Sequence, residues 1–197
     1  MRPQPDAATA AVTSPTLVVV SGPPGCGKTT LAHGIARALG CPAVCRDEIK
    51  EGMAHATPGY APHPGDALSR RTLTTFFDML TLLVTAGVTV VAEAAFQDKL
   101  WRPGLEPLAD LAAIRIVHCV LDPAVARARM ARRIEQEARR AAHDDHHLLQ
   151  AQADAGNPTG AFVPVALPVP ALHVDTTAGY RPDIPDILAF IDHRQEE

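Results

Sequence analysis

Thr16-Leu17-Val18-Val19-Val20-Ser21-Gly22-Pro23-Pro24-Gly25-Cys26-Gly27-Lys28-Thr29-Thr30 is the stretch whose reading decides the fold. Its first six residues, a continuous apolar run rich in valine, read as a buried strand. Gly22 to Thr29 fit G-x-x-x-x-G-K-[ST] without a mismatch. Thr30 to Leu39 then reads as a helix. In such a loop the glycines let the backbone wrap closely round a phosphate with its N–H groups pointing inward. The helix that follows adds its positive N-terminal end. Lys28 can reach β- and γ-phosphates, and the Thr29 hydroxyl can serve Mg²⁺. Gly22, Pro23, Pro24, Gly25, Cys26, Gly27, Lys28, Thr29 and Thr30 are therefore the expected nucleotide-binding residues, with Thr29 the expected metal ligand.

Working outward, strands and helices alternate. Pro42 to Cys45 reads as a second strand, Asp47 to Ala54 as a helix and Leu68 to Thr85 as a longer one. Thr57 to Gly65, with three prolines and two glycines, reads as a loop. Val88 to Ala92 is a third strand, Trp101 to Ala112 a helix and Ile114 to Leu121 a fourth strand. Pro123 to Arg140 is a long Ala/Arg helix with Pro in its first turn. Leu148 to Ala153 extends helical structure, Pro158 to Pro170 crosses the fold, Leu172 to Val174 is a fifth strand, and Ile184 to His193 closes the chain. This alternation predicts a single α/β domain: a five-stranded parallel sheet with helices on both faces and a helical lid. Residues 1–15, rich in Pro, Ala and Thr, read as a disordered leader. The domain is expected over 16–197, with the lid at about 127–150.

Composition sets limits. The 197 residues suit one core. A hydrophobic fraction of 47% is globular, and with aromatics at only 4% the core must rest on Ala, Val, Leu and Ile. A net charge of −4 gives no global case for nucleic acid or membrane binding. Cys26, Cys41, Cys45 and Cys119 form no C-x-x-C pair, so neither a disulfide framework nor a zinc site is expected from spacing, and free thiols in a reducing cytoplasm are.

In a doubly wound sheet the ligand lies at the carboxyl ends of the strands, so residues just past strands carry the information. Asp47, after the second strand, stands where a carboxylate can accept a proton from an attacking hydroxyl; the same position suits a helix N-cap. Lys50 shares its helical face. Glu93 ends the third strand, where a carboxylate can orient Mg²⁺ through water or hold a substrate hydroxyl. Arg129, Arg132 and Arg133 fall on one side of the Arg-rich helix, with Ala126, Met130 and Ile134 on the adjacent inward side. Phosphoryl transfer needs cations to spread the developing charge, whereas Arg139 and Arg140 read better as solvated. His143-Asp144-Asp145-His146-His147 reads as an exposed turn in preference to a metal site.

The chain resembles the small P-loop kinases that phosphorylate hydroxyl groups: gluconate- and shikimate-kinase-like enzymes, the chloramphenicol phosphotransferase and zeta-toxin group, and phage-type polynucleotide kinases. It is most similar overall to bacterial ATP-binding proteins of an AAA-like P-loop family, over about Leu17 to Ile191. In the polynucleotide-kinase-like members an Arg-Asp pair follows the second strand, and its Asp is the general base. A basic residue three positions on contacts substrate phosphate. Cys45-Arg46-Asp47-Glu48-Ile49-Lys50 matches those places, with Lys where Arg is expected. Arg129 and Arg133 best match the two lid arginines, and Val174-Asp175-Thr176-Thr177 resembles the segment near the adenine ring. Glu93 stands where the family often carries Asp.

The resulting expectation is a cytoplasmic, ATP- and Mg²⁺-dependent phosphotransferase acting on a small-molecule hydroxyl. Lys28, Asp47, Arg129 and Arg133 carry the chemistry, and Asp47, Lys50 and Glu93 meet the acceptor. A polynucleotide 5′-hydroxyl kinase and a nucleotide-dependent switch with weak hydrolysis are the rivals.

Overall fold

A computed structural model of the chain describes residues 14–63, 66–136 and 162–193, with side chains to 132 in the middle stretch. Strands β1 (Thr16–Ser21), β2 (Ala43–Cys45), β3 (Val90–Glu93), β4 (Ala113–Val120) and β5 (Ala171–Asp175) form one sheet in the order β2-β3-β1-β4-β5. Every pairing is parallel. Helices α1 (Lys28–Leu39), α2 (Arg46–His55), α3 (Ala67–Thr85), α4 (Asp98–Leu105), α5 (Pro123–Gln136) and α6 (Ile184–Asp192) connect or flank the strands. The fold expected from the β-α alternation is the fold observed.

Strand β1 shows why the sheet needs covering twice. Leu17 and Val19 enter one core with Phe76, Leu80, Phe96 and Trp101, while Val18 and Val20 enter another with Leu31, Ile35, Val117 and Ile187. Successive side chains of a strand point to opposite faces, so an unbroken apolar run fills both. Helix α3 lays Leu68, Thr72, Phe76, Leu80 and Val84 against the first core at a spacing of four. Helices α1 and α6 cover the second.

The predicted helix over Trp101–Ala112 is two elements. Helix α4 begins earlier, at Asp98, and ends at Leu105, where a 3₁₀ helix takes over through Glu106–Asp110. Pro107 has no N–H and its ring crowds the preceding turn, so the α-helical ladder stops there. Part of the crossing segment is described: Pro164 bridges Gln97 in antiparallel sense, and Val165 is buried. Of the expected leader over 1–15, Ser14 and Pro15 are described, and Pro15 is buried with its carbonyl accepting from the Ala113 amide at 2.9 Å, so the ordered chain begins before Thr16. Residues 1–13, the His143–His147 cluster, the helix at Leu148–Ala153 and the lid beyond Gln136 lie outside the described residues. Among the described residues no helix is long and apolar enough to cross a membrane.

Candidate active site

The phosphate loop leaves β1 and turns directly into α1. Gly27, at φ 83°, caps the helix, and Lys28 and Thr29 open it. Gly25 sits at φ 81°, a left-handed conformation that glycine adopts without steric cost. A Cβ there would stand 2.8 Å from the Ala126 carbonyl and 3.0 Å from Met130. The loop is thus seated against α5, whose Ala126 and Met130 are buried as the helical pattern predicted.

Beside the loop lies a carboxylate. Glu93, the last residue of β3, is 2% exposed and registers with Val20 on one side and Cys45 on the other. Its Oε2 accepts a 3.0 Å hydrogen bond from the Thr29 hydroxyl, and its Oε1 lies 4.0 Å from Lys28 Nζ. A buried charge is costly unless partnered, and these two residues partner it. Burial holds the Glu93 carboxyl above its usual range, Lys28 pulls it down in part, and Asp47 adds repulsion. Lys28 is itself held above its ordinary value. Burial opposes this, but Cys26, Glu93 and Asp47 together keep the ammonium charged. Its Nζ also donates to the Pro23 carbonyl at 3.2 Å, so the cation already lies across the loop.

Asp47 stands close enough for its charge to act on both Lys28 and Glu93. It does not cap α2. The helix starts at Arg46, Cys45 occupies the cap, and Asp47 lies in the first turn. The side chain is 44% exposed and accepts from Arg46 Nη1 at 3.0 Å. Arg46 Nε is buried with no hydrogen-bond partner. Lys50 is drawn elsewhere. It is 6% exposed and its Nζ lies 3.9 Å from Asp66, the N-cap of α3. Asp66 also accepts from the Tyr60 hydroxyl at 2.7 Å and the Ser69 amide at 2.5 Å. Burial would raise the Asp66 carboxyl, but these hydrogen bonds hold it well below the usual carboxylate range. Tyr60, buried against that carboxylate, is pushed up to about 12. Residue spacing alone gave no sign of this Lys50–Asp66–Tyr60 clasp, although Asp66 before an apolar helical run is a cap signal.

The far side of the loop is tied by Thr176. Its buried hydroxyl donates to the Cys26 carbonyl at 2.7 Å and lies 3.2 Å from the Val120 carbonyl. Arg129 Nη2 in turn donates to the Thr176 and Thr177 carbonyls at 2.9 and 3.0 Å. A Cβ on Gly27 would come within 3.9 Å of Arg129 Nη1, so the guanidinium sits at the start of α1. Arg133 belongs to α5, with its side chain outside the described residues, and Thr30 is exposed. Cys26 faces the second core and hydrogen-bonds with Cys119. Burial opposes its ionisation, but that bond and the Lys28 charge bring the thiol down to about 7.

Residues 17–158 match the family model of an AAA domain. The chain belongs to the AAA-domain family. Within it, the fold of this AAA-domain protein is that of the small P-loop kinases. A provisionally named kinase from Chloroflexus aurantiacus j-10-fl is 24% identical and superimposes with a TM-score of 0.79, over 93% of this chain and 100% of its own. A sugar kinase from Janibacter sp. HTCC2649 is 21% identical, with a TM-score of 0.60 over 91% and 95%. The Mycobacterium tuberculosis APS kinase CysC, solved with AMPPNP and APS, is 18% identical, with a TM-score of 0.59 over 91% and 98%. At these identities the likeness is one of fold. No curated protein matches the AAA-domain chain.

Proposed function

We propose that the protein transfers the γ-phosphate of ATP to a hydroxyl of a small molecule. The observation that carries this reading is Asp47: a half-exposed carboxylate in the first turn of α2, just past β2, within electrostatic reach of Lys28. The Thr29 hydroxyl and Glu93 carboxylate form an oxygen pair that fits a magnesium ion held largely through water. Magnesium, when bound, neutralises charge on the phosphates. Lys28 and the loop amides hold the triphosphate. Asp47 accepts the proton of the acceptor hydroxyl as its oxygen bonds to the γ-phosphorus and the bond to the β-phosphate oxygen breaks, releasing ADP. Arg129 and Arg133 spread the charge that develops. Arg46, which positions Asp47 and has Nε unpaired, offers a further donor on the acceptor side.

A hydrolytic switch needs a positioned water but no base for an acceptor, so Asp47 favours a kinase. Lys50, the residue that polynucleotide kinases would turn to a substrate phosphate, lies against Asp66, which weighs against a nucleic-acid acceptor. The test is a γ-phosphate transfer screen against sugars, nucleosides, antibiotics and 5′-hydroxyl oligonucleotides, with Lys28→Ala as the blank. Transfer to one small-molecule class is the expected result. Hydrolysis that no acceptor accelerates would leave the switch as the reading. Preferred transfer to oligonucleotides would establish the nucleic-acid rival.

A further inference from the structure

At the edge strand β2, beside the first turn of α2, three unlike donors converge. His33 comes from α1, Cys45 from the end of β2 and Glu48 from the first turn of α2. His33 Nε2 lies 2.7 Å from Glu48 Oε1 and 3.7 Å from Cys45 Sγ, and the three ligand atoms all fall within 4.8 Å of one another. Their positions are set by three elements packed on one sheet edge, so the convergence does not depend on a single loop. Cys45 is buried, while His33 and Glu48 are 44% and 50% exposed at the side chain, so the cluster opens to solvent on one side.

We propose that His33, Cys45 and Glu48 form a zinc site with a fourth, water-filled position. The donor set is the argument. A thiolate, an imidazole and one carboxylate suit a borderline-soft, four-coordinate cation and not Mg²⁺, which takes six oxygens. Geometry agrees. Zn–S of about 2.3 Å and Zn–N of about 2.0 Å at a tetrahedral angle place the two donor atoms about 3.5 Å apart; the observed separation is 3.7 Å. The His33–Glu48 contact would open by roughly half an ångström as the neutral imidazole carries its proton on Nδ1 and Nε2 turns to the metal. Charge agrees too. Burial pushes the Cys45 thiol up, and Glu93, Glu48 and Asp47 further oppose a bare thiolate there; the same negative field draws a dication. Binding converts Cys45–SH to a zinc thiolate, releases one proton to solvent and changes no oxidation state. The site shares the first turn of α2 with Asp47, so metal would fix the element that carries the proposed base.

The test uses the full reduced chain without nucleotide or magnesium. Zinc binding is followed by calorimetry, and Co²⁺ is added in zinc's place to look for the thiolate-to-cobalt charge-transfer band. One equivalent should bind, and the cobalt complex should show that band. Cys45→Ser and His33→Gln should weaken zinc by at least about 100-fold, more than losing an outer-shell partner costs. Cys41→Ser and the triple variant His143→Ala/His146→Ala/His147→Ala should leave affinity unchanged. Zinc should also raise the wild-type Tm. A cobalt complex lacking the thiolate band overturns the proposal even if a variant misfolds. Binding that survives Cys45→Ser, or is lost only in the triple histidine variant, overturns it as well.

Discussion

At the scale of single residues, the phosphate loop and its neighbours divide holding from chemistry. Asp47 faces the site from an exposed position, whereas Lys28 and Glu93 are enclosed. Asp47→Asn should therefore lower the single-turnover transfer rate by about 10²–10⁴-fold and leave ATP affinity within about threefold, because the carboxylate acts on the acceptor. A loss confined to ATP affinity would make Asp47 a nucleotide ligand. Asp66 gives a prediction of another kind. Its folded-state carboxyl titrates below the ordinary 3.8, so between the two values the native state binds fewer protons than the unfolded chain. The stabilisation is full above that ordinary value and is lost as pH falls toward the depressed one. Asp66→Asn should cost about 3–5 kcal/mol at pH 7, and the gap to wild type should narrow steadily below about pH 4. Denaturant midpoints measured across pH 2.5 to 7 would check this; a gap independent of pH would mean that the cap geometry, not the charge, carries the effect. Lys28 and Thr29 were legible because one motif fixes both. The partners of Glu93 and Lys50 were not, because they come from strand register and from the packing of α2 on α3, which residue spacing does not encode.

At the scale of elements, α5 does two things at once. Its inner face seats the phosphate loop through Ala126 and Met130, and Arg129 clamps the Thr176–Thr177 backbone. Gly25→Ala should push α5 off the loop, adding left-handed strain to a steric clash. A stability loss of about 2 kcal/mol is expected, together with lost ATP binding. Arg129→Ala should lower Tm as well as turnover, since two charge-assisted hydrogen bonds vanish at about 1.5 kcal/mol or more each. Arg129→Lys should restore only part, because both bonds leave Nη2, and the ammonium ends short of that atom and lacks the planar, pre-organised guanidinium. If Arg129→Ala cuts turnover with no change in Tm, the guanidinium works only in the nucleotide complex. The helical pattern of 123–140 placed Ala126 and Met130 on the inward face of α5, where they are found, but not that Arg129 would reach the backbone carbonyls of Thr176 and Thr177. Where the pattern misled, at 101–112, the proline that split the helix was already in view.

At the scale of the whole molecule, two cores share one sheet, and the sheet sets every strand's carboxyl end along the same edge. Phe76 lies at the centre of the first core, with ring centroids of Phe77, Phe96 and Trp101 at 5.5, 5.9 and 5.6 Å. Phe76→Ala should cost about 3–5 kcal/mol, read as a lower urea midpoint with an unchanged slope if the domain unfolds as one unit. A second transition would show that the two faces unfold separately. The parallel sheet itself was readable because β-branched runs buried on both faces have few other homes. Strand order was not, since it depends on which crossovers pack. The clasp of Lys50, Asp66 and Tyr60 has a consequence for lineage. It joins α2 to the start of α3, so residues 56–63 leave and return through a frame held by these three side chains. In the proposed transferase, a loop so framed beside the helix that carries Asp47 is where substitutions would change which hydroxyl is met without disturbing how ATP is gripped. Descendants of one ancestor can thus diverge in diet while inheriting the same engine.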